Sequence, residues 1–204
     1  TELQHIRKLN ETAREQAKTL RLPSDLEYDH NKWPVEARMW LYKASIYGSR
    51  INDYHLAYSP SSGRVCLPVF SEEGDLIFYQ LRCIFGSGPK YLNPVVDKTT
   101  VMFWATPEEY DMSRVVVVED ILSAIRVGRH IPTVSLLGTK ISIQQAEALS
   151  HFDLVSTWLD PDSAGIEGAS AVRRAMGLVT DTSNITSDED PKFLSDLNIR
   201  EYLK

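Results

Sequence analysis

The sequence predicts an α/β protein, with a mixed α+β portion first and a central parallel sheet flanked by helices after it. Three observations carry that expectation. Val115 to Val118 is an unbroken valine run, too short for a buried helix and β-branched throughout, as suits a fully buried strand. Helical patterns over Ile121 to Arg129 and Ile143 to Phe152 alternate with apolar runs over Thr133 to Leu137 and Phe152 to Leu159; strand, helix, strand, helix, strand is the order of a parallel sheet covered on both faces. Upstream, Gly63 to Phe70 and Leu76 to Cys83 alternate as strands around Ser71 to Asp75, a hairpin loop that contains the glycine such loops need.

The remaining elements follow in chain order. Leu3, Ile6, Leu9, Ala13, Ala17 and Leu20 recur at helical spacing, which predicts an amphipathic helix over residues 2–20. Leu22 to Asn31 is turn-rich and reads as a linker or extended arm. Pro34 opens a helix over Val35 to Ala44 with Trp40 and Leu41 on its apolar side, and Ile51 to Leu56 predicts a short third element. Trp33, Trp40, Tyr42, Tyr47 and Tyr54 are expected to pack as core rather than to stack on bases. Beyond Gly165, Ile166 to Met176 is a helix whose Arg173 and Arg174 suit its C-terminal dipole. A strand within Leu178 to Ile185 and a helix over Leu194 to Leu203 close the chain. The expected organisation is a helix and linker over 1–32, a first subdomain over 33–110 and the sheet subdomain over 111–204.

Chemistry concentrates where the apolar runs break into acid. Glu119 and Asp120 follow the valine strand, and Asp160 and Asp162 follow the strand ending at Leu159. In open α/β sheets, ligands sit beyond the carboxyl ends of the strands. Asp120 and Asp162 each precede a helical pattern and so also suit an N-cap. A cap needs one acid, however, and each strand end has two. Carboxylates gathered this way repel one another without a cation, which points to a divalent metal.

A buried strand ending in Glu119, then Asp160-Pro161-Asp162 with Ala164-Gly165 behind it, resembles the Toprim domain shared by DnaG-type primases, type IA and II topoisomerases and several nucleases. Leu137-Gly138-Thr139, between the two acidic ends, is similar to the Leu-Gly-Thr segment of primases. Further upstream stand a Gly63-Arg64 strand running into Leu67-Pro68, the acidic Gly74 turn, a strand ending at Arg82, and Pro89-Lys90-Tyr91-Leu92-Asn93. That block resembles the N-terminal half of the DnaG-type primase polymerase domain, and the resemblance runs from about Val35 to Lys204.

The resemblance implies a DNA primase core that makes short RNA primers on single-stranded DNA from ribonucleoside triphosphates. It implies Glu119, Asp160 and Asp162 as catalytic acids, and Glu119, Asp120, Asp160, Asp162 and Asp190 as ligands of two Mg2+ or Mn2+ ions. Asp190 belongs to the segment Asp188-Glu189-Asp190-Pro191, which looks like the Asp-Pro segment after the last Toprim strand. Arg82, Lys90, Tyr91 and Asn93 would bind template and nucleotide, with Lys90 as a point charge for phosphate and Arg82 as a forked donor. No such role is assigned to Arg64. A replicative helicase and a zinc-binding module, in cis or in trans, are the implied protein partners. The short length and divergent first motif suggest a bacteriophage source, a fragment of a larger primase or primase-helicase, and action in the host cytoplasm.

The sequence departs from the family pattern at the first acidic motif. Primases show Glu-Gly there with an Asp three residues after the Gly; here Asp120 follows Glu119, and Ser123 stands at the later position. Asp120 is expected to substitute in part for the missing ligand. A Toprim nuclease and a noncatalytic template-binding module are the alternatives. The Pro89 to Asn93 block speaks against the first, and Ser123 is the one hint of the second. A topoisomerase would need a transesterifying tyrosine in a separate domain, for which the chain has no room.

Bulk properties fit this picture. The chain has 204 residues, 43% hydrophobic content and a net charge of -6, enough to bury a core and too acidic to wrap nucleic acid over its whole surface. Cys66 and Cys83 lack partners for a zinc site and read as reduced thiols in strands. No leader or membrane span is expected. His130 and His151, at helix ends, read as structural.

Overall fold

The computed structural model describes residues 20–86 and 88–204, so the helix expected over 2–20 lies outside the described residues except for Leu20. The chain divides into two compact units, one of residues up to Trp40 plus Tyr47–Lys98, the other of Leu41–Ile46 plus Thr99–Lys204. The division at Lys98/Thr99 lies ahead of the expected 110/111 boundary because Phe103–Ala105 is an edge strand of the second unit's sheet. No helix among the described residues is long and apolar enough to cross a membrane.

The first unit holds an antiparallel sheet in sequence order: β1 (Ala57–Ser59), β2 (Arg64–Phe70), β3 (Leu76–Cys83) and β4 (Tyr91–Leu92). The β2–β3 hairpin has the expected span. Its loop places Gly74 at φ +86°, a conformation that favours glycine. The arm before the sheet is anchored: Glu27 bridges to Tyr58, and Asp25 accepts from Ser59 at 3.0 Å and from the Ser61 amide at 2.9 Å. Helix α1 (Val35–Lys43) matches its expected start, whereas α2 is Gly48–Asp53, earlier than the predicted Ile51 to Leu56. The aromatic expectation is corrected. Among the five, Trp33 alone is buried, at 2% exposure, while Tyr47 is 53% exposed and Trp40, Tyr42 and Tyr54 are half-buried. Trp33 reaches core because its indole N–H finds the Glu27 carbonyl at 2.9 Å.

The second unit is built on a sheet ordered β5-β7-β6-β8-β9, with β5 (Phe103–Ala105), β6 (Arg114–Val118), β7 (Thr133–Ser135), β8 (Leu154–Thr157) and β9 (Asp181–Asn184). All pairs are parallel except β5 against β7. The helices are α3 (Ile121–Val127), α4 (Ile143–Leu149), α5 (Ser163–Met176) and α6 (Asp196–Tyr202), with a 3-10 turn at Pro191–Phe193. Alternation along β6 sends Val115 and Val117 into a core with Leu149, Val172 and Met176 of α4 and α5. Val116 and Val118, equally buried, turn to the opposite face. The fold is therefore α/β, with a parallel sheet between helices as expected.

Candidate metal centre

Topology gathers the acids. From β6 the chain crosses through α3 to β7 on one side, then returns through α4 to β8 on the other side of β6. The strand order reverses between β6 and β8, the position where open α/β sheets form their ligand crevice. These neighbours are in register, with Val117 beside Thr157, and the Trp158 amide extends the ladder to the Val117 carbonyl at 2.8 Å. Glu119 and Asp160 thus leave adjacent strands at the same end. The Glu119 carbonyl is fixed by the Gly138 amide at 3.0 Å and the Ser135 hydroxyl at 2.8 Å.

Asp120, Asp160 and Asp190 each offer a carboxylate oxygen within 4.8 Å of the others, and all three are half-buried. Hard oxygen donors at that spacing suit Mg2+, Mn2+ or Ca2+, so this donor set could hold a metal ion. Burial pushes the Glu119 carboxyl above its ordinary value, and the charges of Asp160, Asp120 and Asp162 push it further, with Lys192 opposing them. Asp120 also caps α3, accepting from the amides of Leu122 at 2.9 Å and Ser123 at 3.1 Å. The cap and ligand readings of Asp120 are therefore compatible, since Oδ1 serves the helix and Oδ2 faces Ser123 and Lys192. Asp162 caps α5 through Gly165 at 2.8 Å; it is exposed and lies outside the three-acid group, and Asp188 is exposed as well.

The segment bearing Asp190 is held on both flanks. Trp158, fully buried, donates its indole N–H to Ser187 at 2.8 Å, and Ser187 donates to the Glu189 carbonyl at 2.6 Å. Beyond it, Arg126 of α3, 1% exposed, donates to the Leu194 carbonyl at 2.7 Å and pairs with Asp196 at 2.8 Å. Despite burial, which raises it, Arg126 and Arg129 hold the Asp196 carboxyl below its usual value. Gly165 lets the first turn of α5 close on Asp160: a Cβ there would lie 2.1 Å from the Asp160 carbonyl oxygen.

Two residues sit inside the cluster that the sequence marks only as a motif departure, Ser123, or not at all, Lys192. The Ser123 hydroxyl, with its single proton, stands between Asp120 Oδ2 at 2.9 Å and Asp190 Oδ1 at 3.0 Å. Lys192 donates to Asp120 Oδ2 at 2.9 Å and forms an ion pair with Asp190. The Pro191-Lys192 dipeptide gives no signal by itself, because a lysine in an acidic turn looks solvated.

The basic residues belong to the first unit. Arg82 on β3 is paired with Tyr91 on β4, and its guanidinium lies 5.3 Å from the Tyr91 ring and 5.6 Å from Trp40. Lys90 is exposed, with its ammonium 5.7 Å from the same Tyr91 ring, and Asn93 is exposed. Arg64 is a strut: 5% exposed, it donates to the carbonyls of Leu81 and Pro89, both at 3.0 Å.

The sheet order and second-unit architecture define the class: the chain has the fold of DnaG-type primase catalytic cores. In particular, it is similar to the Aquifex aeolicus primase comprising zinc binding and RNA polymerase domains, at 22% identity and TM-score 0.70, over 82% of this chain and 54% of that one. The chain thus spans about half the length of that Aquifex chain. A DnaG primase catalytic domain bound to single-stranded DNA matches at 20% identity and TM-score 0.62, covering 97% and 78% of the two chains. The primase fragment of the bacteriophage T7 primase-helicase matches at 14% identity and TM-score 0.56, covering 75% and 69%. No protein-family model and no curated protein sequence matches the chain.

Proposed function

We propose that the chain is the RNA-polymerising core of a DNA primase, making short RNA primers on a single-stranded DNA template by metal-dependent nucleotidyl transfer. The observation that carries this reading is the convergence of Asp120, Asp160 and Asp190 on a primase-core fold.

Glu119, Asp120, Asp160, Asp162 and Asp190 would hold Mg2+ or Mn2+. A divalent ion bound there supplies charge neutralisation for a 3′-hydroxyl attacking an α-phosphate and for the departing pyrophosphate. The chain's own contribution is placement. Ser123 and the Trp158–Ser187 bond hold the carboxylates near one another, and Gly165 permits α5 to close behind Asp160. Lys90 and Arg82 would bind phosphates of template or triphosphate, Tyr91 would offer a ring for base stacking, and Asn93 a hydrogen-bonding amide. In this proposal Asp120 takes up part of the work of the acid replaced by Ser123. Its two carboxylate oxygens, one capping α3 and one facing the cluster, support that assignment.

The names of the similar proteins, one with a zinc binding domain and one a primase-helicase, support a zinc-binding module and a replicative helicase as partners, in cis or in trans. We extend the proposal to a bacteriophage source, to a place within a larger primase or primase-helicase, and to action in the host cytoplasm.

The test is incubation with single-stranded template, labelled ribonucleoside triphosphates and Mg2+ or Mn2+, beside the Asp160→Ala/Asp162→Ala variant. Short RNA products that vanish in the variant are expected. Template degradation lost in the variant would replace the reading with a Toprim nuclease. Lys90-dependent template binding with neither activity would make the chain a binding module.

A further inference from the structure

The acid cluster contains its own cation. Lys192 Nζ lies 2.9 Å from Asp120 Oδ2 and is ion-paired with Asp190, and its side chain is 17% exposed. These are two of the three carboxylates that converge in the second unit. An ammonium at hydrogen-bonding distance and a divalent ion at oxygen-ligand distance compete for the same lone pairs and repel each other. The two cations therefore share this edge of the cluster only at an electrostatic cost.

We propose that Lys192 is a displaceable counter-cation: it neutralises the Asp120–Asp190 edge until a divalent ion is held by Asp120, Asp160 and Asp190 together, and it must swing away for that to happen. Several features suit the role. Lysine carries a compact charge on a flexible four-carbon stem, so it can leave an ion pair without backbone movement. The Phe193 ring, 52% exposed, has its centroid 5.2 Å from the ammonium and offers a weak cation–π surface on the solvent side. Ser123 touches the same two acids, Asp120 and Asp190, through a hydroxyl of its own, a link between the carboxylates that does not pass through Lys192. Lys192 thereby sets how much divalent ion the site needs. This inference rests on the metal-holding reading of the acids but not on RNA synthesis.

The test reads the lysine and the metal separately, without an activity assay. Lysines of the wild-type protein are acetylated with and without Mn2+ and quantified by mass spectrometry, with exposed Lys204 as internal reference. In parallel, Mn2+ binding to wild type and Lys192→Met is followed by electron paramagnetic resonance. Acetylation of Lys192 relative to Lys204 should rise several-fold on Mn2+ saturation, and Lys192→Met should bind Mn2+ about tenfold more tightly. If wild type binds Mn2+ while Lys192 labelling stays level or falls, the displacement is overturned and the metal reading survives. A variant that binds Mn2+ no more tightly overturns it too. If neither protein binds Mn2+, the metal reading falls and takes the proposal with it. The labelling arm needs no variant, so misfolding of Lys192→Met leaves the proposal decidable.

Discussion

Ser123 Oγ donates to Asp190 Oδ1 at 3.0 Å, tying the first turn of α3 to a segment 67 positions later. The same hydroxyl reaches Asp120 Oδ2 at 2.9 Å. One small hydroxyl therefore stands between two acids from distant parts of the chain, beside the Lys192 bridge to the same pair. Ser123→Ala is expected to cost about 1 kcal/mol of stability and to weaken Mn2+ binding several-fold, because two half-buried carboxylates lose the one hydroxyl between them. Chemical denaturation and a Mn2+ titration check both. Unchanged Mn2+ affinity would remove Ser123 from the list of positioning residues.

Gly165 gives a sharper structural prediction. Its added Cβ would sit 2.1 Å from a backbone oxygen rather than a movable side chain, so α5 or the Asp160 backbone must shift. Gly165→Ala should destabilise by about 1–3 kcal/mol, as overpacking does, and should lower Mn2+ affinity by moving Asp160. A Tm and Mn2+ affinity equal to wild type would mean that the helix end accommodates the methyl freely.

The pH response of the metal-free protein follows from Glu119. Its carboxyl is raised from the ordinary 4.5 by burial and by the charges of Asp160, Asp120 and Asp162, so the folded state holds this proton more tightly than the unfolded chain. The associated stability is complete below the ordinary value and lost as pH rises through the raised one. Glu119→Gln should therefore be the more stable protein at neutral pH in EDTA, with its advantage shrinking on acidification towards about pH 4. Paired thermal melts across that range decide it. A wild-type protein more stable than the variant at neutral pH contradicts the sign.

Lys90 tests template binding. It is exposed, so Lys90→Ala should leave Tm unchanged. For single-stranded DNA, losing one phosphate contact lowers the slope of log affinity against log salt by about 0.7, and anisotropy titrations at several salt concentrations measure it. Arg82→Lys should also weaken binding, because lysine lacks the planar fork that lies between Trp40 and Tyr91. A salt slope identical in wild type and Lys90→Ala would locate the phosphate contacts elsewhere.

What the sequence made legible depends on the range of the physics. The valine run, the hairpin and the Asp160 strand end were readable because burial and local turn chemistry write themselves into a few adjacent residues. Edge strand β5 was not, since Phe103–Ala105 is too short to show a period and is a strand only through its pairing with β7. Trp40 was expected in the core because hydrophobicity says nothing of a guanidinium arriving from β3. Lys192 and Ser123 each join a nearby acid to one 72 and 67 positions away, a link no local pattern shows. Arg126 carries no mark in the sequence beyond its place in a helical pattern, yet it is among the most buried side chains, with partners at Leu194 and Asp196.

The anchoring of Asp190 between Trp158 and Arg126 also has a consequence for biosynthesis. β6, α3 and β8 are synthesised before the segment bearing Asp190, and the core that β6 and β8 share with α4 and α5 contains none of its residues. The bonds that anchor Asp190 beside Asp120 and Asp160 need Ser187 and Leu194, which come late in the chain. A nascent chain would thus carry a packed sheet before it carries a competent ion site. Ribosome-stalled chains ending short of Leu194 should resist proteolysis across β6 to β8 yet remain indifferent to Mn2+.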